Sequence, residues 1–202
     1  MPKIVAIIDP PYGVSVVSDK GTVGWRNLAP AGHYSKVIGD ETTQTAKDVY
    51  ALLKSIGVDT MIIWGGNYFS DFLPPSPCWI VWDKRGEIAS NNFADCELAW
   101  TTFKSPARIY KQVWMGMIKE GESGKRLHPT QKPIKILTDI IQEYTSKDDV
   151  ILDPFGGSGS TLIACEKLDR RCYMMEIAPE YNDVIIERWQ KFTGKQAEKI
   201  NG

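Results

Sequence analysis

Cysteine and histidine are scarce in this chain, with Cys78, Cys96, Cys165, Cys172, His33 and His128 the only examples among 202 residues. No two cysteines form a CxxC pair, so the spacing offers neither a zinc site nor a disulfide framework; the thiols are read as reduced and no metal is expected. Long apolar runs are missing as well. The first, starting at Ile4, is halted by Asp9 and two prolines, too soon for a membrane span or the apolar core of a secretory signal. A cytoplasmic location is therefore expected, with no membrane partner. Nor is there a surplus of one charge: 24 Lys+Arg against 25 Asp+Glu leave a net charge of -1, without the basic excess common in nucleic-acid binders. Internal repeats and low-complexity tracts are also absent. With 43% hydrophobic residues, the chain can bury one core, and a single domain over 1–202 is expected.

What the chain does have is uneven. Between Thr102 and Lys135, eight cations, among them Lys104, Arg108, Lys111, Lys119, Lys125 and Arg126, stand against only Glu120 and Glu122. A polyanion could be met there, although a solvated lysine-rich loop explains the charge equally well. Short apolar runs at 4–8, 60–64, 79–82, 98–102, 150–152 and 171–175 predict buried strands. Apolar residues at three- and four-residue spacing predict helices over 42–56 and 133–144, and two more are expected at 158–168, after a glycine-rich turn, and at 179–192, opened by Pro179. This alternation implies an α/β fold with a doubly wound, mostly parallel sheet whose ligands sit beyond the carboxyl ends of the strands. The segments 11–39 and 103–127 fit no regular element and are read as long loops of the kind that usually carry function.

Two strand ends carry chemistry. Val150 to Thr161 reads as a buried strand running through Asp153 and Phe155 into Gly157-Ser158-Gly159-Ser160-Thr161 and then a helix, a turn in which backbone can approach a ligand closely. No lysine follows the glycines, as a phosphate-binding loop would require. Glu176 ends the next strand, where an acid accepts hydrogen bonds from ribose hydroxyls, which together points to a nucleoside without phosphates. At the other strand end, Ile4–Ile8 runs into Asp9-Pro10-Pro11-Tyr12. Two residues of fixed φ make this turn rigid and set a carboxylate, a carbonyl and an aromatic ring side by side, a set suited to a planar base bearing an amino group. Each turn taken alone is as well explained by a plain structural turn.

Together they resemble the amino-methyltransferases of DNA, whose signatures are D/N/S-P-P-Y/F/W and D-P-F-x-G-S-G-T-T. The tetrad Asp9 to Tyr12 matches the first. Asp153 to Thr161 matches the second, with Ser160 in place of the usual threonine. His128-Pro129-Thr130-Gln131-Lys132-Pro133 is similar to the family's H-P-T-x-K-P element, which implies that Thr130 and Lys132 line the methionine end of the cofactor pocket. The order of the motifs, tetrad first, is that of the β class. It implies a circularly permuted, Rossmann-like methyltransferase fold with a catalytic half (1–102), a target-recognition segment (103–127) and a cofactor half (128–202).

The resemblance further implies S-adenosyl-L-methionine as cofactor and DNA as partner, with Lys104, Arg108, Lys111, Lys125 and Arg126 as candidate DNA contacts and a homodimer left open. It implies a bacterial, archaeal or phage-infected cell as the setting. Asp9 at the head of the tetrad implies N6 of adenine as the target, the base being flipped out of the duplex and stacked on Tyr12, with Phe69, Trp25 or Trp82 considered for the opposite wall. For Trp25, Trp82 and Trp114 a place in the core is the simpler expectation. Methylation of cytosine N4 is the alternative, and a non-catalytic DNA-binding subunit that keeps the fold is a second.

Overall fold

The computed structural model describes residues 2–19, 21, 23, 34–90, 94–115, 118–121 and 127–200. Among these, strands β1 (Ile4–Ile8), β2 (Thr60–Trp64), β3 (Trp79–Asp83), β4 (Cys96–Thr101), β5 (Arg108–Lys111), β8 (Val150–Asp153) and β9 (Arg171–Met174) form one sheet in the order β5-β3-β4-β2-β1-β8-β9. All run parallel except β4, which is antiparallel to both β2 and β3. A separate ribbon pairs β6 (Trp114–Met115) with β7 (Ile118–Lys119). The helices are α1 (Gln44–Ser55), α2 (Ile134–Tyr144), α3 (Ser160–Lys167) and α4 (Pro179–Thr193). This is the expected doubly wound, mostly parallel α/β sheet. Because β1 pairs with β8, the first and last thirds of the chain share one sheet.

The central strands are apolar throughout because both of their faces are covered. Val5 and Ile7 join Ile62, Trp64, Ile80, Trp82 and Ile151 in a core closed by Ile136, Leu137, Ile140 and Ile141 of α2 and by Ala164 and Cys165 of α3. Ala6 and Ile8 point the other way, to Met61, Ile63, Phe69 and Trp100, under Ala46 and Leu53 of α1. Each fully buried isoleucine contributes on the order of 1.5–3 kcal/mol, enough to set the register of β1 firmly. Trp82 and Trp114 are core residues, as the simpler expectation had them.

Two expectations need correction. The stretch 103–127 is not simply a loop, since it holds β5, β6 and β7. Periodicity could not reveal β5, because it is an edge strand held by backbone pairing to β3 with three of its four residues exposed; Ile109 is 67% exposed. The third helix starts at Ser160 and not at 158, because Gly157 (φ 53°) and Gly159 (φ 77°) hold the preceding turn in the left-handed region. No helix among the described residues is long and apolar enough to cross a membrane.

Candidate active site

Chain order places the site. From β1 the chain proceeds to β2 on one side, and from β8 to β9 on the other, so the loops leaving the carboxyl ends of β1 and β8 diverge and open a crevice between them. The two motifs follow these two strands. Their proximity shows in Asp153, whose carboxyl is pushed up to about 6, first by burial and then by the negative charges of Asp9 and Glu176.

On the β1 side, Tyr12 donates its hydroxyl hydrogen to Asp9 Oδ1 at 2.6 Å, and Lys132 Nζ donates to Asp9 Oδ2 at 2.6 Å. The loop beyond is pinned by the buried Asp40, whose carboxylate accepts from the backbone N–H of Gly13 at 3.0 Å and of Val16 at 2.7 Å. The Tyr12 ring lies against Gly65, where a Cβ would come within 2.3 Å of it and where φ is +73°, so this position requires glycine. Tyr68, in the short 3-10 turn Gly66–Tyr68, stacks on Tyr12 at 5.1 Å with an interplanar angle of 17°. Phe69 and Trp82, considered as walls for a base, are instead fully buried, while Tyr68 is 46% exposed. Trp25 lies outside the described residues.

Lys132, which the resemblance placed at the methionine end of the cofactor pocket, bridges Asp9 and Glu97, with Glu97 Oε2 at 3.1 Å. Glu97 in turn takes Lys84 Nζ at 2.7 Å on its other oxygen. The result is a chain of alternating charge, Lys84, Glu97, Lys132 and Asp9, with the Lys132 side chain only 7% exposed and set over the Trp64 ring at 5.4 Å. Burial works to raise Glu97, yet Lys132 and Lys84 outweigh it and hold the carboxyl at about 2. Asp9 has one lysine and also feels the charge of Glu97, so burial leaves its carboxyl above the usual range. Sequence alone gives Glu97 no role, because only the antiparallel course of β4 brings its first residues to the end of the sheet where the parallel strands finish. A charged residue opening an apolar strand was the available signal.

On the β8 side, Asp153 accepts from the Phe155 N–H at 3.0 Å and from the Thr161 hydroxyl, and so shapes the turn it precedes. Arg188 of α4 donates to the Ser158 carbonyl at 2.8 Å and to the Ser158 and Ser160 hydroxyls, both at 3.1 Å, which places these two serines toward α4. Glu176 accepts from the Gly157 N–H at 2.7 Å and the Ala178 N–H at 2.9 Å, leaving its other lone pairs for a ligand. His128 packs edge-on to Tyr181 at 4.4 Å and accepts from the Thr130 N–H at 3.3 Å. Burial and the nearby Lys132 lower its pKa to about 4, so the ring is neutral.

The proposed DNA contacts among the described residues, Lys104, Arg108 and Lys111, do not gather on one face. Thr102 meets Met61, near the start of β2, so Lys104 emerges at the amino end of the sheet, away from the tetrad. Arg108 begins β5 at that same end and faces Glu143 at 3.8 Å. Only Lys111, paired in register with Asp83, emerges at the carboxyl end, while Lys125 and Arg126 lie outside the described residues.

The N6/N4 DNA methylase family model matches residues 26–187, a stretch that contains the His128–Pro133 and glycine motifs. The type II methyltransferase M2.MboI of Moraxella bovis is 40% identical over 128 residues, 63% of this chain and 46% of that protein. M2.LlaDCHI of Lactococcus lactis subsp. cremoris is 34% identical over 113 residues, 55% of this chain and 41% of its own length. The chain thus covers less than half of these curated relatives. Among solved structures, the M1.HpyAVI–SAM complex superposes with a TM-score of 0.54 and 25% identity, covering 93% of this chain and 90% of that one. The PvuII cytosine-N4-specific DNA methyltransferase shares the fold with a TM-score of 0.56 at 14% identity, over 96% and 85% of the two chains. The chain belongs to the N6/N4 DNA methylase family.

Proposed function

We propose that this protein transfers the methyl group of S-adenosylmethionine to N6 of adenine in DNA. The observation that carries this reading is the placement of the Asp9–Tyr12 turn and the Gly157–Glu176 turn on either side of one crevice at the carboxyl ends of β1 and β8. The cofactor side fits the cofactor: Glu176 is a carboxylate fixed by two backbone N–H groups, suited to ribose hydroxyls, and the glycine turn carries no lysine for phosphates. When bound, S-adenosylmethionine supplies an electrophilic methyl group on a sulfonium.

The protein's own groups do the rest. An exocyclic amino group is a weak nucleophile because its lone pair is delocalised into the ring. The Asp9 carboxylate and the Pro10 carbonyl accept hydrogen bonds from its two hydrogens, localise the pair and stabilise the positive charge that grows as the new bond forms. Tyr12 and Lys132 fix the carboxylate for this task. Asp9 also takes up a proton more readily than an ordinary aspartate, because burial raises it, so it can receive the one the methylated nitrogen gives up. The base reaches the crevice by flipping out of the duplex, at a cost of a few kcal/mol. Aspartate at the head of the tetrad favours adenine over cytosine by resemblance, and the intact Asp9, Tyr12, Gly157 and Gly159 argue against a non-catalytic subunit.

Nucleoside analysis of unmethylated DNA after incubation with label-bearing S-adenosylmethionine tests the reading. Labelled N6-methyladenine is expected. Labelled N4-methylcytosine would replace adenine by cytosine, and bound cofactor with no labelled base would mean a non-catalytic subunit.

A further inference from the structure

The resemblance sets Lys132 at the methionine end of the cofactor pocket, and its ammonium lies between two carboxylates, 2.6 Å from Asp9 Oδ2 and 3.1 Å from Glu97 Oε2, in a side chain 7% exposed. Such a position has a physical consequence. A buried carboxylate that must accept hydrogen bonds from an incoming amino group needs a partner beforehand, since a lone buried charge is costly, yet that partner must be able to yield. An ammonium with a second carboxylate within reach can do so. It need only tilt from one to the other, with no charge created or lost. Glu97 is built to hold it, being anchored by Lys84 on its far oxygen at 2.7 Å and therefore fixed in place.

We propose that Lys132 and Glu97 form a positioning pair for Asp9, in which the ammonium occupies the Asp9 carboxylate in the empty site and is drawn to Glu97 when the amino group of the target base enters. This rests on the methyltransferase reading and deepens it. The pair gives Asp9 its orientation and its charge, and neither residue touches the reacting atoms. The groups that face Asp9 are Tyr12 from its own turn, Lys132 from the loop ahead of α2, Glu97 from β4 and Asp153 from β8, and Lys84 of β3 acts through Glu97. Two of these make opposite contributions: Lys132 lowers the Asp9 carboxyl and Glu97 raises it.

That opposition provides the test. In Lys132→Met, Asp9 loses its cation and the acid limb of the pH profile for single-turnover methyl transfer should move up by about one unit or more. In Glu97→Gln, Asp9 loses a like charge and keeps Lys132 to itself, so the limb should move down while the rate falls by roughly tenfold, because the amino group now competes with an undivided ion pair. Lys132→Arg should recover much of the activity lost in Lys132→Met. S-adenosylmethionine affinity by calorimetry should stay within about twofold of wild type in all three, since the pair serves the base side.

Glu97→Gln is isosteric and keeps an acceptor for Lys84, so it tests the idea even if Lys132→Met folds poorly. Carboxyl-carbon NMR of labelled aspartate, with Asp9 assigned through Asp9→Asn, reads the same two shifts without activity. Limbs that move together or not at all would overturn the proposal, as would a tenfold loss of S-adenosylmethionine affinity with unmoved limbs, which would return Lys132 to the cofactor. A wild type that methylates no DNA would defeat the proposed function instead, and the NMR titration would still decide whether the ammonium is shared.

Discussion

The two ends of the sheet use the same residue types and differ in what becomes of them. At the amino end Lys54 pairs with Asp59, Arg108 with Glu143 and Lys147 with Asp169, all between side chains that are roughly half or more exposed. Pairs of this kind are worth at most about 1 kcal/mol, because water screens the charges and two mobile chains must be ordered. At the carboxyl end Asp9, Lys132, Glu97 and Asp153 converge beside Glu176, and the protonation of these four is displaced by burial and by neighbouring charge. The comparison teaches that an ion pair acquires chemical consequence through convergence and desolvation. Local density of charge, the feature that made 103–127 conspicuous, is a property of both ends.

The sharpest way to break this contrast is to remove the carboxylate at its centre. Asp9→Ala should lower methyl transfer by about 100-fold or more while S-adenosylmethionine binding by calorimetry stays nearly intact, because the lost hydrogen bonds are made to the base and to developing charge. Activity above about a tenth of wild type would remove Asp9 from its assigned role.

Burial at this end also makes stability depend on pH. The folded Asp153 carboxyl titrates at about 6 against an ordinary 3.8, so its stability contribution is full below about pH 4 and is lost as pH rises through 6. Asp153→Asn should therefore be more stable than wild type above pH 6, by at most about 3 kcal/mol, and the advantage should vanish toward pH 4. His128 works in the opposite sense: its folded pKa near 4 lies below the ordinary 6.5, so its contribution is present above 6.5 and is lost as pH falls toward 4. Thermal melts of wild type and variant across pH 4–8 separate the two, since only the Asp153 effect differs between the proteins. A melting difference independent of pH would show that Asp153 is not held protonated.

On the cofactor side, Glu176→Ala should weaken S-adenosylmethionine by about 1–3 kcal/mol, the cost of leaving buried hydroxyls without an acceptor, while transfer at saturating cofactor survives. An unchanged dissociation constant would mean that the β8 turn has been misread.

The smallest expected effect separates the ends most directly. Lys111→Gln should flatten the slope of log affinity for DNA against log salt by up to about 0.9, the value of one phosphate contact, whereas Lys104→Gln and Arg108→Gln at the far end should leave it unchanged. Filter binding at several salt concentrations decides, and equal slopes for all three variants would remove the distinction.

Much of this was readable in the chain itself. Strands β1 and β2 fall at the expected residues, and most other elements lie within one or two, because buried parallel strands and amphipathic helices write their periodicity into consecutive residues. The two turns were readable for a similar reason, since Pro10, Pro11, Gly157 and Gly159 act on the backbone at their own positions. β5 was not, because an edge strand is selected by the neighbour it pairs with and not by its own pattern.

What the sequence determined, then, was every property that depends on residues near one another in the chain: the order of strand and helix, the rigid tetrad, the glycine turn and the acid after the next strand. What only the tertiary structure decided was convergence. That Lys132 reaches Asp9 across 123 positions, that Glu97 comes to the same crevice because β4 runs backward, that Tyr68 and not Phe69 or Trp82 meets Tyr12 from the solvent side, and that Lys104 and Arg108 leave from the wrong end for the tetrad all follow from strand order and direction. Those are settled by which apolar faces bury one another across the whole molecule, and no local stretch of sequence contains them.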